Sequence, residues 1–379
     1  MLVKLSIKNF KSFMEKAEVD LNATGYEILN DTNKSKENIL KGALFVGENA
    51  TGKSTVLSAI KFLLELLVWQ VNLDTRNYVC LFNESKLGME LEYEFLINGA
   101  KINYFIEVIG DKIFKEILKV KNEIVLNRMG TTAEYIGKNK NIVEINNLQY
   151  NQSAIRKVYF ETKFIDNITL KLWFEFMEKS VYIDQSKKTI NRAVGSSSQL
   201  TYCDYFDKNG TEEFNKFLED INYNQNIVYT EKYKIDKVQF LSKENKKDVV
   251  LERKDFKGFG LPIEFESIGN QTLINVVPFI IDAMKDNAMV LIDEFGSGFH
   301  NTLEEKIIKY FMKNSKSAQI FIVSHSTNLL TNRLLRPDQI YTVDFIDKKG
   351  SKLNRVSDSK PREAQNLEKM YLSGVFNGI

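Results

Sequence analysis

Four residues have the types and spacing to hold and split a phosphoanhydride: Lys53 and Ser54 early in the chain, Asp293 and Glu294 late. The first pair closes Gly47-Glu48-Asn49-Ala50-Thr51-Gly52-Lys53-Ser54-Thr55, a GxxxxGK[ST] loop. Its glycines let backbone N–H groups converge on phosphate oxygens, and the helix that follows adds the positive end of its dipole. In such a cradle, to which Asn49, Ala50, Thr51, Gly52 and Thr55 also belong, Lys53 reaches the β- and γ-phosphates and the Ser54 hydroxyl ligates Mg²⁺. The second pair ends the apolar run Ala288-Met289-Val290-Leu291-Ile292. Adjacent acids at the end of a buried strand are costly unless they have work to do. Beside a phosphate loop, Asp293 would hold Mg²⁺ through water or Ser54, and Glu294 would orient and deprotonate the attacking water. The competing reading is an ordinary strand end with solvated acids.

The flanking sequence supplies the elements these residues need. Ala43-Leu44-Phe45-Val46 reads as a buried strand entering the loop, and Val56 to Leu64 as a mostly buried helix leaving it. Strand, glycine-rich turn and helix form the context the motif requires. A second buried strand, Gln319 to Val323, runs into Ser324-His325-Ser326. At the carboxyl end of a core strand, where α/β sheets bind ligands, His325 is placed to contact the γ-phosphate. The other histidine, His300, has either a structural or a dimer-contact role. Asn301 with Glu304 is expected to cap a helix whose buried face is Leu303, Ile307, Ile308 and Phe311.

Elsewhere the chain is less explicit. Leu2 to Lys8 alternates as a half-buried strand, and a second strand is expected to end near Leu21. Met89 to Val108 alternates too, with Asn98-Gly99 as a hairpin turn. Ile113 to Val120 and Ala133 to Ile145 add short strands, so an antiparallel β layer beside the nucleotide-binding core is expected. Residues 151–225 read as a mostly helical insertion, with helices at Ile168 to Met177 and Thr211 to Ile221 around a Ser196-Ser197-Ser198 loop. Its lysines form either a solvated face or a nucleic-acid or partner surface. Ile227 to Leu241 and Asp248 to Arg253 return to strand patterns. Leu273 to Met284, with Pro278 inside, is expected to be a kinked helix.

Composition excludes more than it assigns. The 379 residues hold two or three domains' worth of core, and 43% hydrophobic content excludes a disordered chain. A net charge of +2 gives no global argument for nucleic acid. Cys80 and Cys203 lie far apart without metal spacing, which fits a reduced, cytoplasmic protein. No early apolar stretch reads as a secretion signal, and no run is long enough to span a membrane.

Taken together, these segments resemble the ABC-type ATPases of the SMC, RecF and OLD group, and most of all the AbiLi-type AAA-family ATPases of bacterial anti-phage systems. Asn9-Phe10-Lys11-Ser12-Phe13 resembles the family's opening strand, Gly47 to Ser54 its Walker A, and Glu266-Ser267-Ile268-Gly269-Asn270 its signature loop. Leu291 to His300 resembles Walker B running into the D-loop, Ser324-His325-Ser326 the switch histidine, and Asn366 to Gly374 the terminal motif. Asn270 stands where Thr is usual, and Asn301 where Pro is common. Gln70 is a weak candidate for the Q-loop. No heptad arm, nuclease constellation or TOPRIM cluster accompanies the motifs.

The resemblance implies an α/β, ABC-type P-loop ATPase head with an antiparallel β layer and a mostly helical insertion. Its parts would be an N-terminal lobe over 1–150, the insertion over 151–225 and a C-terminal lobe over 226–379. It implies a homodimer or higher homo-oligomer in which ATP and Mg²⁺ lie between Walker A of one subunit and Ser267 and Gly269 of the other, with Glu294, His325 and Lys53 as catalytic groups. It further implies a sensor or regulatory ATPase of an abortive-infection system, controlling a separately encoded nuclease or toxin. The alternative is a RecF-like repair clamp that grips DNA around Lys232, Lys234 and Lys237. A non-hydrolysing scaffold fits the intact Lys53, Ser54, Asp293 and Glu294 poorly. A transporter nucleotide-binding domain does not account for the β layer and insertion.

Overall fold

The computed structural model describes residues 1–69, 74–80, 82, 88–137, 141–192, 200–235, 238–241, 247–255 and 260–378, with backbone alone for 232–235 and 238–241. Gln70, the Ser196–Ser198 loop, Lys237 and the side chains of Lys232 and Lys234 therefore lie outside the described residues.

Two sheets organise the chain. The central one has seven strands in the order Thr189–Arg192, Val181–Asp184, Met289–Asp293, Gln319–Val323, Gly42–Val46, Ile340–Ile346 and Gly350–Arg355. Its five inner strands run parallel, and the two outermost are antiparallel to their neighbours. Strands covered on both faces have no need of a polar side, which is why Gly42–Val46, Met289–Asp293 and Gln319–Val323 read as unbroken buried runs. Alternate residues still separate. Ala43, Phe45, Leu291 and Phe321 enter one core, whereas Leu44, Val46, Ile292 and Ile322 enter the other.

The first core is closed by an eight-stranded antiparallel sheet ordered Ala17–Asp20, Leu2–Lys8, Met89–Ile97, Ala100–Ile109, Lys112–Val120, Glu123–Met129, Thr132–Ile136 and Ile142–Ile145. This is the expected β layer. Asn98 and Gly99 take φ of 50° and 71°, the left-handed pair that a tight hairpin needs. The phosphate-loop helix Lys53–Leu64 and the helices Ala154–Thr162 and Ile168–Glu178 fill the space between the sheets. The second core packs Tyr202–Asn209, Glu212–Asp220, Ile268–Lys285 and Asn301–Asn314 against the other face. Pro278 sits within a single helix, Ile268–Lys285, that begins five residues before the expected segment.

The described residues of 151–225 hold four helices, but the segment also supplies Val181–Asp184, which pairs in register with Val290–Asp293. All four of its residues are buried, so no alternation marks it as a strand. Among the described residues no helix is long and apolar enough to cross a membrane, and both cysteines are free.

Candidate functional site

The phosphate loop is held in shape from outside its own sequence. Gly52 has φ of 107° and starts the helix Lys53–Leu64. A Cβ at this position would fall 2.3 Å from Ser351 Oγ and 2.7 Å from Ser12 Oγ, so only glycine fits. The Ser351 hydroxyl donates to the Thr51 carbonyl (2.5 Å) and lies 2.7 Å from Ser12 Oγ, which in turn reaches Thr55 Oγ1 at 3.3 Å. Thr51 Oγ1 donates to the Glu48 carbonyl at 3.0 Å, while Asn49 and Ala50 face solvent, Ala50 with φ of 63°. Lys53 is buried, and its ammonium donates to the carbonyls of Gly47 (2.9 Å) and Glu48 (2.6 Å). Burial lowers its pKa, with Asp293 and Glu294 opposing that shift.

The two distant motifs meet. Ser54 Oγ donates to Asp293 Oδ1 at 2.8 Å across 239 residues of sequence, and Tyr182 donates to Asp293 Oδ2 at 3.2 Å. Burial raises the pKa of Asp293, and the Ser54 bond pulls it the other way. Glu294, next along, is exposed and takes a left-handed φ of 58°. A non-glycine residue in that conformation costs about 1 kcal/mol or more and commonly marks a functional position. It turns successive carboxylates in different directions, one into the sheet end and one into solvent. His325 follows the adjacent strand. The residue is exposed; burial and the Lys53 charge lower its pKa, while Glu294 and Asp293 act to raise it.

The serine hydroxyl and buried carboxylate are hard oxygen donors at the end of one sheet. Mg²⁺ is held by one or two carboxylates together with phosphate oxygens and water, so Ser54 and Asp293 fit it.

One residue of this cluster carries no motif in the sequence. Gln185 follows Val181–Asp184, and its N–H donates to the Asp293 carbonyl at 3.1 Å. Its Oε1 accepts from the N–H of Gly296 at 3.1 Å, and its buried Nε2 has no hydrogen-bond partner. The available signal was the likeness of Tyr182-Ile183-Asp184-Gln185 to Leu291-Ile292-Asp293-Glu294: an apolar run with a polar tip. Lys11, within the Asn9–Phe13 motif, also has a place that its residue type alone does not show. Its ammonium donates to Ser58 Oγ at 3.2 Å and sits 5.0 Å from the centre of the Tyr78 ring. Burial lowers its pKa, with Lys61 adding to the effect.

Among the described residues, the bonds and close contacts of Ser267 and Gly269 are to their own helix start and to Gly298. Ser267 caps the helix Ile268–Lys285 by accepting from the Asn270 N–H at 3.3 Å. Gly269 packs against Gly298, where a Cβ would lie 3.1 Å from the Gly298 carbonyl oxygen. Phe265 and Ile268 on either side are 61% and 71% exposed. Asn270 is buried and donates to Gln225 Oε1 (3.0 Å) and Glu266 Oε2 (2.7 Å), and it accepts from the Tyr223 hydroxyl.

Two helix-start expectations are corrected. The cap of Asn301–Asn314 is His300, whose ring accepts from the Thr302 N–H at 3.4 Å, and Asn301 is already helical. Glu304 makes no capping pair. It is buried and accepts from Ser326 Oγ at 3.1 Å, because it lies on the same inward side as Leu303 and Ile307.

Residues 43–331 match the family described as "AAA domain, putative AbiEii toxin, Type IV TA system". The chain belongs to this AAA family. No curated protein matches the sequence. Among solved structures the chain is similar to the SMC head domain from Thermotoga maritima, at 14% identity and a TM-score of 0.50, over 93% of this chain and 97% of that one. It is equally similar in fold to an SMC head bound to the C-terminal winged-helix domain of ScpA, at 15% identity and a TM-score of 0.50, over 93% and 96%. The fold is that of an ABC-type ATPase head.

Proposed function

We propose that this AAA protein is a cytoplasmic, Mg²⁺-dependent ATP hydrolase that works as an ATP-sandwiched homodimer or higher homo-oligomer. The observation that carries this reading is the 2.8 Å bond from Ser54 to Asp293, which joins the phosphate loop to the acid-tipped strand. Lys53 binds the β- and γ-phosphates. Ser54 and Asp293 hold Mg²⁺, which supplies charge neutralisation at the phosphates when bound. Glu294, turned out of the sheet by its left-handed backbone, takes the proton of the attacking water, and His325 contacts the γ-phosphate. Gln185, with one amide nitrogen unpartnered beside Asp293, is a further polar contact at the same sheet end.

Ser267 and Gly269 serve a second subunit's nucleotide. Among the described residues their contacts are to their own helix start and to Gly298, and Phe265 and Ile268 beside them are more than half exposed. A helix N-terminus presented in this way supplies N–H donors to a phosphate. Hydrolysis then weakens the dimer, which makes a switch. The working parts are the lobe over 1–150, the insertion over 151–225 and the lobe over 226–379.

The family's description names a putative AbiEii toxin and a Type IV TA system, and on that footing the role proposed here is anti-phage defence, with this ATPase as sensor or regulator of a separately encoded nuclease or toxin. Phosphate release by the purified protein with Mg²⁺ and ATP tests the chemistry: turnover that chelation abolishes is expected, and none at any protein concentration overturns it. Phage plating on cells carrying the native locus tests the role. Lys53→Ala should restore plaques, and equal plating with and without the intact gene would sink the defence reading.

A further inference from the structure

We propose that Glu304 is a positioning residue for turnover, joining the loop that carries His325 to the turn Gly296–Phe299 and, through that turn, to the helix start at Ser267. The proposal rests on the hydrolase reading above and adds a residue to it.

Glu304 is 1% exposed, in the first turn of Asn301–Asn314. An acid there would satisfy the helix dipole equally well from the surface, so burial needs another reason. Its Oε1 accepts from Ser326 Oγ, one residue beyond His325, at 3.1 Å. The same oxygen packs on Gly296, where a Cβ would fall 2.4 Å from it and 2.9 Å from Ser326 Oγ. Gly296 has φ of 103° and directs its N–H to Gln185. Thus one carboxylate oxygen touches the turn after Glu294 and the loop after Val323 together.

The contacts continue on both sides. The His325 loop is fixed before the histidine by Ser324 Oγ, which donates to the Phe295 carbonyl at 2.7 Å, and beyond Ser326 by Thr327 Oγ1, which donates to Glu368 at 2.7 Å. Of these three anchors, only the Ser326–Glu304 bond ties the loop to the helix following the turn. At the far end of the turn, Gly298 meets Gly269 and lies against Ile268 and Thr272. In the sandwiched dimer, Ser267 and Gly269 serve one nucleotide and His325 the other. A shift of the turn when the partner's nucleotide engages Ser267 therefore reaches His325 through Glu304. Glu304 Oε2 has no hydrogen-bond partner, the Asn328 amide lying near it but outside bonding geometry, and burial raises the carboxyl's pKa. The bond to Ser326 needs only an acceptor, which a neutral side chain also offers.

The test is steady-state ATP turnover, with nucleotide binding and thermal melting measured alongside, for wild type, Glu304→Gln, Glu304→Ala, Ser326→Ala and the double alanine variant. Glu304→Ala and Ser326→Ala are each expected to lower kcat about ten- to a hundredfold with KM for ATP moved less than about threefold, since a displaced group costs rate more than binding. The double variant should be no slower than the slower single one, because both changes remove the same bond. Glu304→Gln, which keeps the acceptor oxygen, should recover to within about threefold of wild type. Ser326→Ala, a smaller change in a half-buried loop, carries the test should Glu304→Ala fail to fold. Unchanged kcat in Ser326→Ala, additive losses in the double variant, or Glu304→Gln as slow as Glu304→Ala would each overturn the proposal. A wild-type protein without turnover would instead refute the hydrolase reading.

Discussion

The phosphate-loop end of the central sheet and the Ser267 helix start are built on opposite principles. At the first, the polar groups find partners inside the chain: Lys53 on two carbonyls, Ser54 on Asp293, Tyr182 on Asp293, Ser351 on Thr51. At the second, Ser267, Asn270 and Glu266 bond among themselves and to Gln225, while Phe265 and Ile268 beside them are more than half exposed. A cross-bonded site is preorganised and needs little from a partner. An exposed helix start framed by apolar side chains gains from one. On the proposed reading, one chain carries the two unlike halves of a nucleotide site, each completed by a different molecule.

The largest effect expected from breaking the first half alone is at Glu294. Glu294→Gln should cut turnover by a factor of about 10² to 10⁴, the usual worth of a general base, while ATP binding persists and ATP-dependent dimer accumulates. Gel filtration with multi-angle scattering alongside phosphate release reads both, and unchanged turnover would remove Glu294 as the base. Breaking the second half alone is the sharper comparison. Ser267→Arg should leave ATP binding by the monomer intact yet lower turnover about a hundredfold, the scale of losing a transition-state donor. Mixed with Lys53→Ala, it should regain activity, because one composite site in the mixed dimer keeps both native halves. No recovery at any ratio would argue that the halves do not meet between chains.

Asn270→Ala tests the support beneath Ser267. Losing a buried amide that partners Tyr223, Gln225 and Glu266 should cost about 1–3 kcal/mol of stability, read from chemical denaturation. An unchanged midpoint would show that the network is dispensable. The smallest expected effect is a titration. Only two histidines occur, so their ring signals can be assigned with a His325→Ala variant. His325 should titrate below its ordinary 6.5, since burial and Lys53 disfavour the charged ring. Because the folded ring binds its proton less tightly than the unfolded one, this group removes stability as pH falls from 6.5 to the folded midpoint and contributes no change above 6.5. A midpoint at or above 6.5 would place the ring away from Lys53.

What could be read without the structure follows the same divide. Gly47 to Ser54 and Leu291 to Glu294 are contiguous, and their chemistry is local, so residue types alone announced them. Strand alternation revealed most of the eight-stranded sheet for the same reason. Gln185 and Ser351 belong to no motif, because their roles come from chain segments that meet only in space; Ser12 lies in the Asn9–Phe13 motif, but its bond to Ser351 is likewise invisible in the sequence. Val181–Asp184 hid within a stretch dominated by helical spacing. Glu304 looked like a capping partner because three-residue spacing is shared by caps and buried faces, and only packing separates the two.

The central sheet places Gly42–Val46 between Gln319–Val323 and Ile340–Ile346. A ribosome building this chain therefore releases the phosphate loop long before either neighbouring strand exists. The nascent N-terminal segment has no sheet to join, and its apolar strand must wait through most of synthesis, exposed to wrong pairings or to chaperones. The site therefore assembles late, and a chain truncated after Glu294 would carry Lys53, Ser54, Asp293 and Glu294 yet lack Gln319–Val323, the strand that lies between Met289–Asp293 and Gly42–Val46.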